Sequence, residues 1–153
     1  MRYLENRIPP PLVAAVFAGL MWLYAQPDWS ASLPAPWHIG IVLVVLLLGA
    51  AVCLAGLLSF RRARTTVNPL KPDTASALVS SGIYRYTRNP MYLGFAIALL
   101  AWAILLAAPL TLMGVAGFVL YIDRFQITPE ERALAALFGE DFASYRDRTR
   151  RWI

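Results

Sequence analysis

The apolar run IGIVLVVLLLGAAVCLAGLLSF, residues 39–60, constrains the fold more than any other part of the sequence. It is 22 residues long and has no charged side chain, and about 20 apolar residues are enough for a helix to cross a bilayer core. From Pro9 to Phe60 the chain has no Lys or Arg, and Asp28 is the only charged residue. Hydrophobic residues make up 59% of the 153 residues, against roughly 45–50% in soluble domains. These features predict an integral membrane protein.

Three further apolar segments accompany this run. The four segments cover residues of about 10–25, 37–60, 91–108 and 109–125, and each is long enough, or nearly so, to span a bilayer as a helix. Pro109 lacks an N–H group and cannot continue the preceding helix undisturbed. Ala107-Ala108-Pro109 is therefore predicted to form a tight turn between the last two spans. We expect a single all-α membrane domain over residues 1–153, with four transmembrane helices and a short helical tail over 126–153.

The cations indicate how this domain is oriented. Two lie near the N-terminus, six between Arg61 and Arg88, and six beyond Asp123, whereas the connections around Asp28 and Pro109 have none. Because loops rich in Lys and Arg face the cytoplasm, both termini and the central loop are predicted to be cytoplasmic. Trp29 and Trp37 are then expected at the outer interface. The excess of Arg is assigned to anionic lipid headgroups, with no nucleic acid as partner. The Arg-rich and Ala-rich composition favours a bacterial inner membrane.

The tail contains a helix-start pattern. In Thr128-Pro129-Glu130-Glu131, Thr occupies the N-cap position, Pro the first helical position and Glu131 the third, which is the arrangement of a capping box. On this interpretation, Glu131→Gln would lower stability by no more than roughly 0.5–1 kcal/mol. Leu134, Leu137 and Phe138 are predicted to form an apolar face. Gly139 is expected to end the helix, and a second short helix is expected to hold Phe142 and Tyr145. The final residues, RTRRWI, resemble a headgroup anchor.

A polar, aromatic cluster, SGIYRYTRNPMYLG at residues 81–94, directly precedes the third span. Asn89 is a good N-cap and Pro90 a good first helical residue, so the N–H groups at this helix start are predicted to face the cytoplasm. Such a helix start attracts anions, and Arg85 and Arg88 add positive charge beside it. Glu130 and Glu131 are expected opposite, where they could hold a cation or ribose hydroxyls. S-adenosylmethionine carries all of these groups, although a nucleotide or a phospholipid headgroup would also suit the basic side.

RNPMYLG, followed about 35 residues later by PEERALAALFGEDFASY, resembles the isoprenylcysteine carboxyl methyltransferase and phospholipid methyltransferase family. The upstream GIYRYT is similar as well, and the resemblance covers roughly residues 65–150. The positions that match the family pattern are Arg88, Asn89, Pro90, Tyr92, Gly94, Glu130, Glu131, Leu134, Phe138, Gly139 and Tyr145. Asn89 departs from the eukaryotic members, which carry His at that position.

The resemblance implies an integral-membrane methyltransferase that binds S-adenosylmethionine at its cytoplasmic face and acts on a lipophilic small molecule or lipid. The acceptor group is a carboxylate, a thiol or an amine. The implied cofactor-binding residues are Tyr84, Arg88, Asn89, Pro90, Tyr92, Gly94, Glu130, Glu131 and Tyr145. Glu131 and Arg88 are the implied catalytic residues, and no metal is expected. Two alternatives stay open at this point: a non-enzymatic four-helix protein for transport or assembly, and a membrane reductase of the sterol-reductase type.

Overall fold

A computed structural model describes residues 5, 7–26, 35–63 and 77–153, and most of them are helical. The long helices are α1 (Pro10–Ala25), α2 (Pro36–Arg62), α3 (Pro90–Leu106), α4 (Leu112–Ile122) and α5 (Thr128–Arg148). Short 3-10 turns cover Gly82–Arg85 and Pro109–Thr111, and a π-helical segment covers Asp123–Ile127. No strand occurs in these ranges, so the predicted all-α fold is confirmed. Trp29 and residues 64–76 of the central loop lie outside the described residues.

The outer surface of the helices is apolar, as expected for a protein surrounded by lipid. The α2 helix buries only Val42, Gly49, Gly56 and Ser59, and it exposes apolar side chains such as Val44 and Leu47 all round. A helix that is apolar on every side suits a membrane rather than water. Two helices are long and apolar enough to cross a bilayer, Pro36–Arg62 and the continuous helix Pro109–Arg148, while α1 and α3 are apolar but shorter. The protein is thus an all-α membrane protein. The count of four spans stays a prediction.

Helices α2 and α3 cross at a point where their backbones touch. A Cβ atom on Gly94 would lie 2.7 Å from the Gly49 carbonyl oxygen and 2.8 Å from Cys53 Cβ. A Cβ atom on Gly49 would lie 2.8 Å from the Gly94 carbonyl oxygen. Small residues at a crossing point let membrane helices approach this closely and pack backbone against backbone. The start of α3 is therefore held firmly against α2.

The predicted turn at residues 107–109 is confirmed. Helix α3 ends at Leu106, and Ala107 adopts a left-handed conformation with φ of 50°. Pro109 then begins the 3-10 turn that leads into α4. At the same end of the molecule, His38 Nε2 lies 2.8 Å from the Ile104 carbonyl oxygen, which links the start of α2 to the end of α3.

The capping box predicted at Thr128 is wrong. Thr128 has helical dihedral angles (φ −59°, ψ −46°), and α4 runs without interruption through the π-helical segment into α5. The Thr128 hydroxyl donates to the Asp123 carbonyl at 2.8 Å and caps no N–H group. The physical reason lies in Pro129, which cannot donate a helical hydrogen bond. The wider π turn accommodates the proline without ending the helix.

The rest of the tail follows the predicted pattern with one difference. Gly139 has φ of 49° and ψ of −119°, so it breaks α5 where the sequence predicts the first tail helix to end. Leu134 and Phe138 pack on a small core formed by Val79, Tyr84, Phe142 and Tyr145. Leu137 is exposed and does not join them. This second core attaches the tail to the residues that precede α3.

Candidate functional site

The two polar segments that the sequence places about 40 residues apart meet between the starts of α3 and α5. Glu131 accepts hydrogen bonds from Arg88, at 2.7 Å from Nη2 and 3.2 Å from Nε. The side chains of Arg88 and Glu131 are only 10% and 16% exposed. An ion pair with so little contact with water is costly to break, because the partner left behind stays desolvated.

The neighbouring carboxyl group has a different environment. Tyr92, which is 6% exposed, donates its hydroxyl hydrogen to Glu130 Oε1. The second oxygen of Glu130 accepts no hydrogen bond from the described part of the chain. Burial raises the pKa of Glu130 from 4.5 to about 8, the Tyr92 hydrogen bond lowers this pKa, and the charge of Glu131 raises it further. Glu130 is therefore a carboxyl group poised to change its protonation state near neutral pH.

The C-terminal residues 149–152 fold back over the start of α3. The Arg88 N–H donates to the Arg150 carbonyl at 3.0 Å, and Asn89 Nδ2 donates to the Arg151 carbonyl at 2.9 Å. Arg88 Nη1 also donates to the carbonyls of Arg146, at 3.1 Å, and Thr149. Asn89 does precede the helix as predicted, but its side chain binds this segment and does not cap α3.

Arg151 completes the network of charges. Its Nη1 lies 3.1 and 3.0 Å from the two carboxylate oxygens of Asp123. Its Nε lies 3.2 Å from Glu131 Oε1, and its Nη2 contacts Glu131 Oε2. The Trp152 indole N–H lies 3.4 Å from Asp123 Oδ1. Sequence reasoning treated these C-terminal residues as a headgroup anchor and missed their contacts. The only local sequence signal of these contacts is Asp123, an acidic residue directly after an apolar span.

Four other predicted site residues lie next to this network and have structural contacts. The Tyr145 hydroxyl donates to the Tyr84 carbonyl at 2.8 Å, and the Tyr84 ring packs edge-on against Phe60 at 5.3 Å between centroids. Both tyrosines are buried, and burial raises the pKa of the Tyr145 hydroxyl. Gly94 lies against α2 at the helix crossing described above. Pro90 is the buried first residue of α3, as predicted.

The contacts in this site leave one carboxyl group and two backbone N–H groups available for a ligand. Arg88 and Arg151 are paired with Glu131 and Asp123, so these four charges largely neutralise one another. Glu130 has only the Tyr92 hydroxyl as partner. Nearby, the N–H groups of Met91 and Tyr92 in the first turn of α3 have no acceptor among the described residues. The arrangement therefore offers donors for an anion and a carboxyl group for a cation or hydroxyl.

An apolar groove lies on the same face of α3. Tyr92, Phe95, Leu99 and Trp102 recur at helical spacing, and Trp102 Nε1 donates to the Ala18 carbonyl of α1 at 3.0 Å. The groove has a volume of about 280 Å³ and is lined by Ala14, Ala15 and Ala18 of α1 and by Phe95, Ala98 and Trp102 of α3, among others. It begins one helical turn beyond Tyr92, so it could hold the apolar part of a molecule whose polar end lies at Glu130.

Relatives of the chain include named methyltransferases. Over 111 residues, 71% of the chain, it is 28% identical to a probable protein-S-isoprenylcysteine O-methyltransferase of Oryza sativa subsp. indica, of which 56% is covered. It is 25% identical over 112 residues to protein-S-isoprenylcysteine O-methyltransferase B of Arabidopsis thaliana, of which 57% is covered. It is 33% identical over 66 residues, 43% of the chain, to methanethiol S-methyltransferase 1 of Bradyrhizobium diazoefficiens, of which 22% is covered.

The chain thus spans little more than half the length of the plant relatives and about a fifth of the bacterial one. No solved structure matches it. The family described as phospholipid methyltransferase matches residues 37–141, from the start of α2 to the break in α5. This range contains the α2–α3 crossing, the start of α3 and both glutamates. The chain therefore belongs to the phospholipid methyltransferase family.

Proposed function

We propose that the protein transfers a methyl group from S-adenosylmethionine to a lipophilic or membrane-delivered acceptor. The observation that carries the proposal is the contact of Glu130, a carboxyl group with one unengaged oxygen, with Tyr92, which lies one helical turn before the apolar groove on α3. The site thereby joins a polar subsite for a charged cofactor to an apolar subsite for the acceptor. The family assignment supports methyl transfer as the reaction.

The residues present fit the cofactor. The free N–H groups of Met91 and Tyr92 would bind its carboxylate, as anions bind at helix starts. Glu130 would bind its cationic part or its ribose hydroxyls. Arg88 already donates to Glu131 and to two carbonyl groups, and so we assign it to positioning Glu131 and not to direct contact with the cofactor.

The chemistry that the protein has to supply is modest. The cofactor, when bound, provides an electrophilic methyl group that an acceptor displaces in line. The chain must align the acceptor with this group and exclude water, which the apolar walls of the groove would do. A carboxylate acceptor needs no base, whereas a thiol or an amine has to lose a proton. Glu130 suits that role better than Glu131, because both oxygens of Glu131 are held by guanidinium groups.

We place both termini and the site on the cytoplasmic side, in a bacterial inner membrane. In a Cys53→Ala background, a cysteine at position 153 should react with a membrane-impermeant maleimide only from the cytoplasmic side. Ile153 is exposed, as is Leu110 in the α3–α4 turn, and a cysteine at 110 should react only from the outside. The reverse pattern would overturn this orientation.

Cofactor binding should release a proton at pH 7. A carboxyl group whose pKa is raised to about 8 is mostly protonated at that pH, and a cation placed beside it favours the ionised form. Calorimetric titrations with S-adenosylmethionine in phosphate and in Tris should therefore give different apparent enthalpies, because the two buffers take up protons with different heats. In Glu130→Gln, the difference between the buffers should vanish. Absence of binding to the folded wild-type protein at millimolar cofactor would refute the proposed function.

Filling the groove should change which acceptors are used. Ala15 lines the groove yet is exposed, so Ala15→Phe occupies the groove without a clash in the core. We expect transfer of a labelled methyl group to long-chain acceptors to fall about 10-fold or more, because the loss of even one methylene contact in an apolar pocket has an effect of this size. The affinity for the cofactor should not change. Ala50→Phe, at an exposed position of α2 outside the groove, is the matched control. Equal activity of both variants toward long-chain acceptors would rule out the groove as the acceptor site.

A further inference from the structure

We infer that Arg151 is a positioning residue of this site, and that residues 149–152 form a closing segment that belongs to the active site. This inference rests on the proposed function. It assigns to residues 149–152 a role in cofactor binding. The family match ends at residue 141, and Tyr145 is the last position of the sequence motif.

The Arg151 guanidinium group binds two carboxylates. Two edges of Arg151 are engaged at once, one with both oxygens of Asp123 and the other with both oxygens of Glu131. Only a planar guanidinium presents donors on two edges in this way, whereas Lys offers a single point charge. Arg151 therefore fixes both the position and the rotation of the Glu131 carboxylate relative to the π-helical segment.

The backbone of Arg151 is hydrogen-bonded as well as its side chain. The Arg151 carbonyl accepts from Asn89 Nδ2 at 2.9 Å and from the Thr87 hydroxyl at 3.4 Å. The Arg150 carbonyl accepts from the Arg88 N–H, in a single parallel bridge between Thr87 and Arg150. Arg151 thus contacts the residues that precede α3, the π-helical segment and α5. Glu130 lies on α5 and is bound to Tyr92 of α3, so Arg151 contacts elements at both sides of this bond.

The two ion pairs of Arg151 differ in their exposure to water. The side chains of Arg151 and Asp123 are 34% and 35% exposed, and ion pairs in contact with water contribute little to stability. Glu131 is less exposed, but it keeps Arg88 as a partner when Arg151 is lost. If Arg151 positions Glu131 and, through it, Glu130, its loss should lower cofactor affinity more than it lowers stability. A merely structural role would produce the opposite ratio.

The experiment compares Arg151→Gln with Arg150→Gln. Arg150 is exposed, and its side chain makes no contact of this kind among the described residues, so this variant removes the same charge one residue away. Arg151→Gln should weaken S-adenosylmethionine binding about 10-fold to 100-fold, as expected for the loss of charge-assisted hydrogen bonds. Its thermal midpoint should change by less than about 4 °C. Arg150→Gln should match the wild-type protein in both measurements.

Two further variants make the test specific. Arg151→Lys keeps the charge but not the two-edged geometry, so it should recover less than half of the lost binding free energy. Millimolar guanidinium should restore binding to Arg151→Gln, whereas tetramethylammonium, a cation without N–H donors, should not. In Asp123→Asn, the effect of Arg151→Gln should be smaller than in the wild-type background, because the two residues act through one contact.

Binding measurements on the wild-type protein and on Arg151→Gln test the proposed function and the role of Arg151 separately. If the wild-type protein binds no S-adenosylmethionine, the proposed function is wrong. If the wild-type protein binds it and Arg151→Gln binds it equally well, the positioning role of Arg151 is wrong and the proposed function stands. An equal loss of affinity in Arg150→Gln would also overturn the inference, because it would show an effect of net charge alone.

Discussion

Glu131→Gln should lower the stability of the protein and, under the proposed function, its affinity for S-adenosylmethionine. The Glu131 carboxylate holds Arg88 and Arg151 together, and it is only 16% exposed. The amide of Gln is neutral and offers one oxygen, so Arg88 would keep its charge at a largely buried position without a full partner. Removal of one member of a buried pair costs up to about 3–5 kcal/mol. With a neutral hydrogen bond retained, we expect about 2–3 kcal/mol, or a fall in the thermal midpoint of roughly 4–12 °C.

Glu140→Gln is the control for this prediction, because Glu140 is an exposed glutamate on the same helix. Its thermal midpoint in detergent should stay that of the wild-type protein. If Glu131 served only in a capping box, Glu131→Gln would change the thermal midpoint of the protein only slightly. A midpoint for Glu131→Gln within about 1 °C of the wild-type value would therefore show that the network around Arg88 carries little energy.

Gly94→Ala should destabilise the protein although alanine ordinarily stabilises a helix. The added methyl group would lie 2.7 Å from the Gly49 carbonyl oxygen and 3.0 Å from the Cys53 backbone nitrogen. Neither atom belongs to a flexible side chain, so α2 and α3 would have to separate. Overpacking of this kind costs roughly 1–3 kcal/mol and sometimes more, and it would also displace the start of α3, which carries Tyr92.

Gly40→Ala provides a comparison of opposite sign. Nothing lies within 4 Å of a Cβ atom at Gly40, so the substitution should stabilise α2 by roughly 0.5–1 kcal/mol. Thermal unfolding of both variants in one detergent would measure the two effects. If Gly94→Ala unfolds at a higher temperature than the wild-type protein, the close contact between α2 and α3 is wrong.

The helices could be predicted because each depends on information local to its own segment. An apolar run long enough to cross a membrane has few alternatives to a helix, since backbone groups in lipid must bond within the segment. The turn at residues 107–109 followed from Pro109 by the same kind of local argument. The start of α3 at Pro90 was local as well, and all of these predictions agree with the structure.

The junction at Thr128 could not be predicted in this way. Thr-Pro-Glu-Glu satisfies the local rules for a helix start, but the same residues also fit inside a helix that has a π turn before the proline. The π turn makes the second arrangement possible, and contacts with distant residues favour it. Arg88 and Tyr92 bind the two glutamates, and this contact keeps α5 in line with α4.

The C-terminal part of the site was missed for a related reason. Arg151 lies 28 residues from Asp123 and 20 from Glu131, and no periodicity connects positions so far apart. In sequence, six arginines beyond Asp123 look alike. Only the fold separates Arg151, which is engaged on two edges, from exposed neighbours such as Arg150.

The π-helical segment at Asp123–Ile127 also determines how the chain can vary in length. A π turn holds one more residue than an α turn, and one residue corresponds to a rotation of about 100° around the helix axis. Deleting a single residue from this segment would leave a continuous helix, yet Glu130 and Glu131 would point away from Tyr92 and Arg88. Insertions and deletions should therefore be tolerated in the connections between helices but excluded from these five residues. Within an otherwise variable membrane helix, the length of this one turn would be the conserved property.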